Sequence, residues 1–65
     1  MDLTRRELEI ARMAAGGVPP RSIAIQLSLS LRTIESALLV IYTKLGITTI
    51  QELDVALRSL RETAP

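Results

Sequence analysis

Between Ser30 and Gly46 apolar residues recur at intervals of three and four, namely Leu31, Ile34, Leu38, Ile41 and Leu45. That spacing lines up one face of an α-helix. Ser30 is a good N-cap and Gly46 suits a left-handed C-cap, so a helix is predicted over about residues 31–45. A competing feature lies inside it. The run Leu38-Leu39-Val40-Ile41-Tyr42 is β-prone and would be prone to aggregate as an exposed edge.

Other segments supply partners for this helix. Thr4 followed three residues later by Glu7 forms a capping box, Leu3 and Leu8 hold the staple positions, and Gly16-Gly17 supplies a stop. A first helix is expected over about residues 5–15, with Leu8, Ile10, Ala11, Met13, Ala14 and Ala15 in a broad apolar stripe. Val18-Pro19-Pro20 is a rigid connector whose Pro20 suits the first turn of a helix. From Ile23 to Leu31 every odd position is Ile or Leu, which reads as a half-buried strand. A helix there needs only Ile23, Ala24 and Leu27 inward, with a turn through Ser28 and Leu29, and periodicity alone slightly favours the strand. Thr48 with Gln51 and Thr49 with Glu52 offer two overlapping capping boxes before a last helix whose stripe is Leu53, Ala56, Leu57 and Leu60. The residues from Glu62 to Pro65 read as a frayed end.

At 65 residues the chain is expected to form one domain over 1–65, close to the lower size limit for folding without disulfides or a metal. It has no cysteine and no histidine. Zinc fingers, thiol nucleophiles and the commonest general base are thereby excluded, so neither an enzyme nor a cofactor is expected. Apolar types make up 48% of the residues and Tyr42 is the one aromatic, so the core must be aliphatic. The longest apolar run, Ala37 to Tyr42, is far short of the roughly 20 residues that span a membrane, and Met1-Asp2-Leu3-Thr4 lacks a signal peptide's apolar region. No membrane association and a cytoplasmic location are the expectations. Net charge is only +1, but residues 17–46 hold Arg21, Arg32 and Lys44 against Glu35, the one stretch with a positive excess.

The succession of these pieces resembles the LuxR-type (LuxR/FixJ/GerE-like) C-terminal helix-turn-helix DNA-binding domain of bacterial response regulators and quorum-sensing regulators. The residues that carry it are Leu3-Thr4, Arg6-Glu7, Glu9-Ile10, Gly17, Ile23-Ala24, Leu27, Ser30, Thr33-Ile34, Leu38, the run Ile41 to Ile47, and Glu52-Leu53. Lys44-Leu45-Gly46-Ile47 at this distance from Ser30 to Ile34 is the specific part. A sigma-factor C-terminal domain shares the first half of the pattern but usually lacks that ending and the fourth helix. The resemblance implies an all-α, four-helix fold: a scaffold helix at about 20–28, a recognition helix at about 31–45 entering the major groove, and a fourth helix at about 49–61 through which family members often dimerise.

Carried over residue by residue, Thr33 and Lys44 match positions that commonly touch phosphate, and Arg21 is a basic substitute at a scaffold-helix position with that role. With the apolar stripe turned inward, Arg32, Glu35, Ser36, Leu39, Val40 and Thr43 face outward, and Arg32, Glu35, Ser36 and Val40 complete the candidate contacts to double-stranded DNA. Glu35 suits a cytosine amino group, and Leu39 or Val40 a thymine methyl. The chain departs from the family where Glu35 replaces a usual cation, Ala37, Leu39 and Val40 usual polar residues, Pro19 a usual capping Ser and Ile50 a frequent Arg. A transcription regulator's DNA-binding domain is therefore expected. The alternative is a helix-turn-helix reused for protein interaction, pairing through the fourth helix or through Ser36, Leu39 and Val40.

Overall fold

A computed structural model describes the backbone of residues 3–63 and side chains through Ser59. Leu60, assigned above to the last buried stripe, therefore lies outside the described side chains, and Ala64 and Pro65 outside the described residues. Four α-helices follow one another, α1 (Arg5–Ala15), α2 (Pro20–Leu27), α3 (Leu31–Leu45) and α4 (Ile50–Thr63), with no strand among the described residues. The all-α, four-helix expectation holds. With no glycine or proline between Ile50 and Thr63, α4 continues through Glu62 and Thr63, which the sequence reading leaves as frayed.

Each helix starts and stops where its local chemistry requires. The Thr4 amide donates to Glu7 Oε1 at 2.8 Å and the Glu7 amide to Thr4 Oγ1 at 3.1 Å, so the capping box of α1 is complete. Its end is a Schellman arrangement: Gly17, at φ 93°, takes the left-handed turn, and the Val18 amide reaches the Met13 carbonyl at 3.0 Å. Pro20 opens α2 behind Pro19, which supplies no side-chain cap. At α4 the Glu52 amide donates to Thr49 Oγ1 at 3.2 Å, making Thr49 the cap. The Thr48–Gln51 box does not form, because a helix starting at Ile50 puts Gln51 one position too early. Thr48 instead donates to the Glu52 carboxylate through both its amide and its hydroxyl, each at 3.4 Å.

The strand-like alternation of residues 23–31 is folded as helix and turn. Ile23 and Ala24 are buried and Leu27 packs beside them, while Ile25, which a half-buried strand would turn inward with Ile23, is 75% exposed. The core comprises Ile10, Ala11 and Ala14 of α1, Ile23 and Ala24 of α2, Ile34 and Ile41 of α3, and Leu53 and Leu57 of α4, with no polar side chain buried among the described residues. Helix α1 lies against each of the other three, and α2 packs on α3. Leu3, Leu8, Leu38, Tyr42, Leu45 and Ile47 close the core's margins. No single helix among the described residues is long and apolar enough to cross a membrane.

Candidate nucleic-acid interface

Helices α2 and α3 are joined by three residues, Ser28 to Ser30, across which the chain turns by 112°. A short turn between helices at about 90–120° is the helix-turn-helix arrangement. Ser28 makes the corner in the left-handed conformation (φ 58°, ψ 40°), its amide bonded to Ile25 O at 3.2 Å, while the Leu29 amide bonds Ala24 O at 2.8 Å. The Leu29 side chain packs on the core and anchors the corner from inside. Ser30 then caps α3, accepting from the Thr33 amide at 3.1 Å, with the Ser30 and Thr33 hydroxyls 2.8 Å apart. Thr33 is thus exposed at the positive end of α3, its hydroxyl shared with the cap.

Ile34 and Ile41 are fully buried, and this orients the helix. The opposite face carries Arg32, Glu35, Ser36, Leu39, Val40 and Thr43, all exposed, as the apolar spacing predicts. At about 100° per residue, Arg32, Ser36, Leu39 and Thr43 share a central arc. Glu35 flanks that arc on one side, and Val40 and Thr33 on the other. Leu39 is 70% and Val40 44% exposed. Arg21 projects from the exposed side of α2. Neither Arg21, Arg32 nor Glu35 forms an ion pair among the described residues.

Lys44 stands apart from this set. Its Nζ lies 2.7 Å from Glu7 Oε1, in a half-buried pair that ties the start of α1 to the end of α3. The same carboxylate oxygen accepts from the Thr4 amide. Donation from the Lys44 ammonium, then from the Thr4 amide, holds the Glu7 carboxyl below its ordinary pKa against the opposing effect of burial. Glu7 reads from sequence only as a cap. Its second role has no sequence signal, because Lys44 is 37 residues away. A signal does exist for another contact: Thr43 donates its hydroxyl to Leu39 O at 2.9 Å, the i−4 bond that a mid-helix Thr commonly makes.

The family model described as GerE, bacterial regulatory proteins, luxR family, matches residues 1–56. The chain belongs to the LuxR family. Comparison with curated proteins and with solved structures gave no match. Membership makes this a LuxR-type helix-turn-helix DNA-binding domain and sets aside the sigma-factor comparison. Positions at which the sequence departs from the family pattern lie on the surface, with Glu35, Leu39 and Val40 exposed on α3 and Ile50 exposed at the start of α4.

Proposed function

We propose that this domain serves a bacterial transcription regulator in the cytoplasm, laying α3 in the major groove of double-stranded DNA with α2 across the backbone. The observation that carries the reading is the 112° corner between α2 and α3, which presents a solvent-exposed face of α3 bearing Arg32, unpaired among the described residues. Arg32 and Ser36 lie on the central arc and reach base edges, Glu35 accepts from a cytosine amino group, and Val40 packs at the groove wall. Arg21 and Thr33 hold phosphate oxygens and set register. Lys44 adds a phosphate contact only when it leaves Glu7. Pairing of two copies runs through α4, whose exposed Val55 adjoins a shallow groove lined by Ile47, Gln51, Glu52, Ala56 and Ser59.

One observation favours a second reading. Ile25, Leu39 and Val40 are large aliphatic side chains exposed on the helix-turn-helix itself, as on a protein-binding surface. Fluorescence anisotropy with random-sequence duplex DNA separates the two. Binding is expected at about 50 mM salt and is expected to weaken toward about 200 mM, with a log–log slope near −2 to −3 for two or three phosphate contacts. Glu35→Lys should tighten this binding and steepen the slope by about one. Absence of binding at either salt would overturn the DNA reading, and an unchanged affinity in Glu35→Lys would mean that α3 does not face DNA.

A further inference from the structure

We infer that the recognition helix reads thymine through its 5-methyl group, with Leu39 as the specificity-determining side chain; this rests on the DNA-binding reading above. Leu39 is 70% exposed on the central arc of α3, opposite the buried Ile34 and Ile41. It is an apolar group placed where a groove-binding helix meets base edges. On the floor of the major groove the one apolar group that projects from a base edge is the C5-methyl of thymine, where cytosine presents only a C5–H, and the principal other edge groups are hydrogen-bond donors and acceptors. An exposed Leu therefore has one complementary feature on a duplex.

Thr43, one turn further along the same arc, reinforces this. Its hydroxyl proton is committed to Leu39 O at 2.9 Å, so it offers the groove a methyl and an acceptor but no donor. The C-terminal half of the face is thus apolar in the main, while Ser36 and Arg32 supply hydrogen bonding about one and two turns before Leu39. This mixture matches a groove floor better than a protein surface. An apolar partner seated on Leu39 would strip water from Arg32 and Glu35, neither of which has an ion-pair partner among the described residues.

The experiment selects bound duplexes from a random pool with the full chain. Affinity is then compared for the selected duplex and the same duplex with deoxyuridine in place of thymidine, which removes the methyl and keeps the pairing edge. A loss of about fourfold per contacted methyl is expected from the transfer free energy of one buried CH₂-sized group. In Leu39→Ala, checked for native helicity, the thymine and uracil duplexes should bind alike. Equal binding of the two duplexes by the parent chain would overturn the inference, as would discrimination that survives in Leu39→Ala. Salt-dependent binding with no enriched sequence would overturn it while leaving DNA binding intact, and no binding to any duplex would overturn both. Self-association that Leu39→Ala abolishes, without thymine–uracil discrimination, would assign Leu39 to a protein contact and likewise overturn it.

Discussion

The two ends of α3 use their polar groups in opposite ways. At the C-terminal end Lys44, Glu7 and Thr4 satisfy one another, with the ammonium and an amide converging on one carboxylate oxygen at 2.7 and 2.8 Å. Toward the N-terminal end Arg32 and Glu35 are exposed and unpaired among the described residues, although three positions apart on one helix is close enough for an ion pair. Charges in the first region hold α1 against α3. Those in the second join no two elements through an ion pair among the described residues, and so they are the ones available to a ligand. Within this small domain the sign and number of its charges say less about DNA binding than which of them the fold has already engaged.

The largest expected effect tests the division between inner and outer faces of α3. Ile41 is fully buried whereas Leu39, two positions earlier, is 70% exposed. Ile41→Ala should lower unfolding free energy by about 2–5 kcal/mol, enough to unfold much of a domain this small. Leu39→Ala should change it by less than about 0.5 kcal/mol. Urea denaturation followed by circular dichroism measures both, and a comparable loss in the two variants would mean that Leu39 belongs to the fold.

A smaller effect is expected at the α1–α3 junction. The folded-state pKa of Glu7 lies below its unfolded value, so its contribution to stability is present above the unfolded pKa of about 4.3 and is lost as pH falls through the folded value. Glu7→Gln should lower Tm at pH 7 and flatten the decline of Tm between about pH 6 and pH 3. The same change releases Lys44. If Lys44 then reaches phosphate, the salt slope of DNA binding steepens by about one, a less stable protein binding more tightly. A Tm–pH curve in Glu7→Gln that matches the parent's would show that the pair adds nothing to the fold.

Much of this was legible in the sequence, and the failures share a cause. Thr4 with Glu7, Gly16-Gly17, Ser30 and Gly46 mark helix ends through bonds within a few residues, all of which form, and Pro20 marks the start of α2 through its fixed φ and missing amide. The outward set on α3 also follows from local spacing. Residues 23–31 were ambiguous because α2 is only 8 residues long, too short for a 3.6-residue period to be told from alternation. The 75% exposure of Ile25 and the burial of its neighbour Ala24 show that the alternation does not follow burial there. The Lys44–Glu7 pair was invisible because it joins helices that only the fold brings together.

The smallest effect concerns the corner that presents the outer face. Ser28 and Gly46 end α2 and α3 in nearly the same left-handed conformation, at φ 58° and 68°, yet only the second has the residue that adopts it without strain. A non-glycine residue there costs roughly 1–2 kcal/mol, offset in part by the roughly 0.5–1 kcal/mol of extra chain entropy that glycine loses on folding. Ser28→Gly should therefore stabilise the domain by at most about 1.5 kcal/mol in a urea titration, since Ser28 is exposed and its side chain makes no hydrogen bond among the described residues. The salt slope of DNA binding should not move, because the charges on α2 and α3 are unchanged. A slope that did change would mean that Ser28, and not only the angle it sets, takes part in the interface, and the boundary between groups that serve the fold and groups left for the ligand would have to be redrawn through the turn.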